Sequence, residues 1–147
     1  MFERLLVPLD GSDISDTAVA QSVALAKQLG ARLVGFVAEP TMSLPNLAVH
    51  PGTYAREADT HDTRTEAHAQ ALLGRLEAAA NEAGVPFRGV FTRAPNVEEA
   101  IAQAATENEV DMIVMVTHGR GALGELVFGS RTKGVLSRTR LPVLVLH

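Results

Sequence analysis

Apolar runs of strand length alternate with longer stretches of helical periodicity along the whole chain, the pattern of parallel strands joined by crossover helices. Five strands are predicted, at residues 3–9 (ERLLVPL), 31–38 (ARLVGFVA), 86–92 (PFRGVFT), 110–116 (VDMIVMV) and 142–147 (PVLVLH). The run at 110–116 is apolar almost without alternation, as expected of a central strand covered on both faces. At about 100° per residue, Ile14, Ala18, Val19, Ser22, Val23, Leu25, Ala26 and Leu29 fall on one half of a helical wheel. Asp16, Gln21, Lys27 and Gln28 fall on the other, so residues 13–29 are predicted to form an amphipathic helix that Gly30 ends.

A second, long helix is predicted from about residue 54 to 83, with Leu72, Leu73 and Leu76 as its apolar anchors and Gly84 as its stop. Before it lies EPTMSLPNLAVHPG (39–52), whose three prolines argue against regular structure and suggest a flap or crossover loop. Asn96, followed three residues later by Glu99, resembles a capping box that opens a third helix running to 108. A short fourth helix begins near Ser130. There is no internal repeat, linker or low-complexity tract.

Right-handed crossovers then give an α/β fold, a five-stranded parallel sheet in the order 3-2-1-4-5 with helices on both faces. Such sheets bind ligands beyond the carboxyl ends of the strands where the order reverses, here the first and the fourth. The loops that follow these strands, PLDGSD (8–13) and THGRGALG (117–124), are rich in glycine and polar residues. Parts of the chain a hundred residues apart are therefore expected to share one site.

Composition narrows the classes. The chain has 147 residues, one domain by length, with 46% hydrophobic and 20% charged residues, an ordinary globular balance. No apolar run approaches the roughly 20 residues of a spanning helix, so no membrane association is expected. The five-residue apolar run near the amino end is too short for a secretory signal. Cysteine is absent, which removes disulfides, thiolate nucleophiles and cysteine metal cages, and a cytoplasmic location fits best. The net charge of −4 argues against a general nucleic-acid binder. Its distribution is uneven: Arg120, Arg131, Lys133, Arg138 and Arg140 face one acid, Glu125, between 119 and 140, a local +4 against −8 elsewhere.

Two glycine patterns compete in THGRGALGELVFGS (117–130). Gly119, Gly121 and Gly124 spell G-x-G-x-x-G, but a dinucleotide turn should follow the first strand and be answered by an acid about 20 residues on. Leu144 stands there instead, and no acid follows Glu125. The wider pattern, Gly119 with Gly129 and Ser130, has a mechanism. Gly129 and Ser130 open a helix whose first amides lack internal acceptors and whose dipole favours an anion. Hydroxyls of Ser130 and Thr132 and the charges of Arg120 and Arg131 could assist. Each residue also has a plain structural account: Ser130 as an N-cap, Gly119 as a turn, the arginines as solvated surface. A Walker loop is absent. His61 and His68, seven apart on a helix, are about 10.5 Å apart along its axis, too far to share a metal. Asp10, His118 and Ser130 could form an acid, histidine and hydroxyl set, but the G-x-S-x-G elbow of a hydrolase is missing.

The segments LLVPLDGSDISDTAVAQSVALAKQLGARLVGFVAEP, VDMIVMVTHGRGALGELVFGS and RTRLPVLVLH together resemble the universal stress protein family over essentially the whole chain; only about 41–64 is generic. Nucleotide-binding members carry G-x2-G-x9-G-[ST], whose later positions match Gly119, Gly129 and Ser130, while the first glycine falls on Val116. The resemblance implies an adenine-nucleotide-binding, Rossmann-like fold in a single domain, 1–147. It further implies a site built from Pro8, Leu9, Asp10, Val37, Met115, Val116, His118, Gly119, Arg120, Gly129, Ser130, Arg131 and Thr132. In it Asp10 would meet the sugar or base side, and Pro8 and Val37 would line the adenine pocket. As turn acid and packed strand residues, these three also have accounts of their own.

The ligand implied is ATP, with AMP or a cyclic nucleotide as variants, and Mg2+ bridged by the phosphates. A homodimer through the edge strand 142–147 and an unidentified protein partner complete the picture, a nucleotide-dependent sensor in the stress response whose ATPase activity, if any, is slow and incidental. The alternative is a nucleotide-free dimeric interaction module, in which Val116 has closed the crevice. A valine that keeps strand geometry there costs little backbone strain, whereas a position requiring positive φ would resist it.

Overall fold

A computed structural model of the chain describes residues 1–9, 16–41, 51–116 and 129–146. The elements follow in the order β1 (Arg4–Leu9), α1 (Asp16–Leu29), β2 (Arg32–Glu39), α2 (Pro51–Ala83), β3 (Phe87–Arg93), α3 (Val97–Glu107), β4 (Met112–Val116), α4 (Ser130–Leu136) and β5 (Val143–Leu146). All strand pairs are parallel and the sheet runs β3-β2-β1-β4-β5. This is the predicted Rossmann-like order, with its reversal between β1 and β4.

Period-two alternation on each strand divides the core into two layers. Leu5, Val7, Leu9, Leu33, Val37, Met112 and Val114 face α1 and α2. Leu6, Val34, Phe36, Ala38, Ile113 and Met115 face α3 and Val135 of α4. Because β1, β2 and β4 are covered on both sides, their sequences read as unbroken apolar runs.

The helices bury the stripes their spacing dictates. In α1 the buried side chains are Ala18, Val19, Ser22, Val23 and Ala26, with the Ser22 hydroxyl satisfied by the Ala18 carbonyl at 2.8 Å. Leu29, expected on the apolar half, is instead 42% exposed, since it sits in the last turn beyond the edge of the core. Gly30 and Gly84 end α1 and α2 with φ of 66° and 73°, the left-handed conformation that stops a helix cheaply at glycine.

Helix α2, at 33 residues, is about 50 Å long, about twice the length of the strands it crosses. Its second half does the packing, through Ala69, Leu72, Leu73, Leu76 and Ala80. Gly35 in β2 permits this closeness: a Cβ there would stand 2.9 Å from the Phe87 ring and 3.1 Å from Leu73. Among the described side chains of α2, none before Ala69 is buried. That first half is tied down by Arg93 at the end of β3, which donates to Thr65 Oγ1 at 2.9 Å and to the Asp62 carbonyl at 2.6 Å, and which lies 5.3 Å from the Phe91 ring centroid. The helix begins at Pro51 rather than near residue 54, so the last proline of the predicted flap belongs to the first helical turn. There its missing N–H is no loss and its fixed φ is an advantage.

Strand β4 starts two residues later than predicted because Asp111 has another task. Its carboxylate accepts the amides of Glu3 at 2.8 Å and Arg4 at 3.2 Å, fastening the beginning of β1 to β4.

Candidate functional site

Beside β1, β4 pairs through Leu5 with Met112 and Leu6 with Ile113; carried along the strands, this register brings Leu9 level with Val116. The carboxyl ends of the two strands therefore lie next to each other at the order reversal, as predicted. Asp10, His118, Gly119 and Arg120, which would stand in the two loops beyond them, lie outside the described residues.

Of the described candidates, Pro8, Leu9, Val37 and Met115 are buried strand residues. Val37 has no solvent exposure and packs on the α1–α2 side, so its side chain serves the core. Val116 is the last residue of β4, pairs with Leu146, and has no positive φ; among the described residues other than glycine, only Glu109 has one. Its half-buried side chain packs on the α1–α2 core, in line with Met112 and Val114. Valine in place of the glycine therefore introduces no backbone strain.

On the opposite face, α4 opens at Gly129, which is exposed, with φ −58° and ψ 156° and no side-chain cap. Among the described residues, nothing lies within 4 Å of where a Cβ at Gly129 would stand. The first amides of the helix, on Ser130, Arg131 and Thr132, have no acceptor within it. Ser130 is exposed, Arg131 half-buried, and Thr132 buried at 3% exposure beside Val135. Thr132 thus anchors the turn, while Ser130 and Arg131 remain accessible to a ligand.

The described basic residues of this stretch have different surroundings. Arg138 donates to the Gly134 carbonyl at 2.9 Å, so its charge sits at the carboxyl end of α4, where a cation offsets the helix dipole. Lys133 and Arg140 are exposed. Among the described residues no group of three His, Asp or Glu gathers to hold a metal ion, and no helix is long and apolar enough to cross a membrane. Attention to glycine-rich loops does not single out the arginines that begin β1 and β2 and follow the first residue of β3. Their signal in the sequence is a charged residue at or next to the start of an otherwise apolar strand.

A family model for the universal stress protein family matches residues 1–147. The chain belongs to the universal stress protein family. A relative from Thermus aquaticus, described as the universal stress protein in the QAH/OAS sulfhydrylase 3′ region, is 34% identical over 148 residues, covering all of both chains. Among solved structures, a universal stress family protein from Burkholderia pseudomallei superposes with a TM-score of 0.68 at 25% identity, over 99% of this chain and 96% of that one. A universal stress protein in complex with cAMP gives 0.66 at 22% identity, over 99% and 97%. Family membership agrees with the resemblance of the three segments, and the strand order with the strand patterning.

Proposed function

We propose that this universal stress protein binds an adenine nucleotide, ATP with Mg2+, beyond the carboxyl ends of β1 and β4, and acts as a dimeric sensor whose occupancy alters its contacts with a protein partner. The observation that carries this reading is the turn at Gly129, which has no side-chain cap and no described neighbour within 4 Å of a Cβ position, on a helix that follows in sequence the strand at the order reversal. Peptide amides at such a turn suit phosphate oxygens, which need donors and a positive local potential. Ser130 and Arg131 add an exposed hydroxyl and a guanidinium. Mg2+ would arrive on the phosphates, neutralising charge that the turn leaves uncompensated. The similar fold in complex with cAMP supports an adenine nucleotide as the ligand class.

In this reading Pro8 borders the base, Asp10 meets the sugar side, and His118, Gly119 and Arg120 contact the phosphates. Hydrolysis is slow and incidental. The half-buried apolar strand β5, at the sheet edge, pairs with its copy in a second chain, since an unpaired edge invites pairing. The protein works in the cytoplasm.

Thermal unfolding with and without 1 mM MgATP tests the proposal. A site with a Kd of about 10 μM would stabilise the protein by roughly 2.7 kcal/mol, a shift of several degrees. No shift with ATP, AMP or cAMP would leave the nucleotide-free interaction module as the reading to pursue.

A further inference from the structure

At the opposite end of the sheet, where the strands begin, three arginines share one face. Arg4 and Arg32 are register partners on β1 and β2, and Arg88 on β3 is the register partner of Val34, two residues after Arg32. By alternation all three stand on the side of Leu6, Val34 and Val90, the side covered by α3. Helix α3 ends short of them. Between its last residues and the strands lies a hollow of about 340 Å³ that the three arginines, Glu107, Asn108 and Glu109 line. That volume lies within the range of small-molecule sites.

The charges at this hollow do not cancel. Glu109 is paired with Arg4, and Glu107, which accepts a hydrogen bond from Gln103 at 2.7 Å, keeps its charge, so three arginines face two carboxylates and one positive charge is left over. The guanidinium groups of Arg32 and Arg88 have no hydrogen-bond or ion-pair partner among the described residues. Like charges directly opposite each other on neighbouring strands destabilise a sheet, and Arg4 and Arg32 are so placed. From the strand spacing and rise, the Cα atoms of Arg32 and Arg88 are about 8 Å apart, close enough for two guanidinium forks to converge on one small anion.

We propose that this hollow binds a small organic dianion, a phosphate monoester or a dicarboxylate, gripped by Arg32 and Arg88 with Arg4 held in place by Glu109. Guanidinium pairs bind such groups bidentately, and two of them match two negative charges. Val34 and Pro86 supply apolar wall for the carbon skeleton. This site is separate from the turn at Gly129 and uses side chains where that turn offers peptide amides.

Titration of the whole protein with inorganic phosphate and, in a second series, with malonate, both at constant ionic strength, tests the inference by amide NMR. Saturating shifts at residues 32, 33, 88, 108 and 109 are expected, with millimolar affinity, and the tighter of the two probes identifies the phosphate or the carboxylate class. The Arg32→Gln/Arg88→Gln double variant should bind about tenfold more weakly or worse, and Arg88→Gln alone, an exposed change on an edge strand, by an intermediate amount. Three results would overturn the inference: shifts that rise linearly without saturating, shifts confined to 129–132, or variants that titrate like the parent protein. The last two leave the nucleotide reading intact, and a failed ATP melt leaves this one intact.

Discussion

Helices α3 and α4 lie on the same face of the sheet and are built in opposite ways. α3 has eleven residues and buries Val97, Ala100, Ile101, Ala104 and Ala105. Its start is closed by its own sequence, because Asn96 Oδ1 accepts the Glu99 amide at 2.9 Å. α4 has seven residues, buries Thr132 and Val135, and starts at a glycine that offers no side chain to its amides. A seven-residue helix containing glycine is unstable alone, so α4 takes its order from the surface beneath it. One helix spends its polar groups on itself; the other leaves them for something else.

The comparison can be broken at its anchor first. Ile101 is 1% exposed in the α3-side core, and Ile101→Ala should lower stability by about 2–5 kcal/mol in urea denaturation. The next effect is on the open turn. Gly129→Asn gives α4 the cap it lacks, so MgATP affinity measured by calorimetry should fall by about tenfold, as the new side chain competes for the amides that phosphate would use. An unchanged affinity would show that the ligand does not use this turn. The smallest effect is the converse change at the closed helix: Asn96→Ala should cost about 1 kcal/mol of stability and leave nucleotide affinity unaltered.

Most of the architecture was legible in the chain because burial on both faces leaves a plain mark. β1, β2 and β4 read as apolar runs, and Gly30, Gly84 and Asn96 mark helix ends through backbone conformation and capping chemistry that depend on a few neighbouring residues. The misses lie where one residue has two readings. Pro51, like Pro40 and Pro45, reads in the sequence as a breaker, yet proline is also favoured as the first residue of a helix. Asp111 lies within a strand-like run, and its amide-binding role depends on Glu3 and Arg4, more than a hundred residues away. The effect of Val116 required knowing which side of the sheet its alternation selects. The hollow at the strand starts was hidden for a related reason: Arg4, Arg32 and Arg88 become neighbours only through strand register.

The long α2 helix leaves room for modification. Because the described side chains before Ala69 avoid the interior, whole turns could be added or removed upstream of Asp62 without disturbing the stripe that grips β2 and β3. A reporter peptide or affinity handle spliced there should leave the folded body intact, making the segment a ready attachment point for following this protein in the cell.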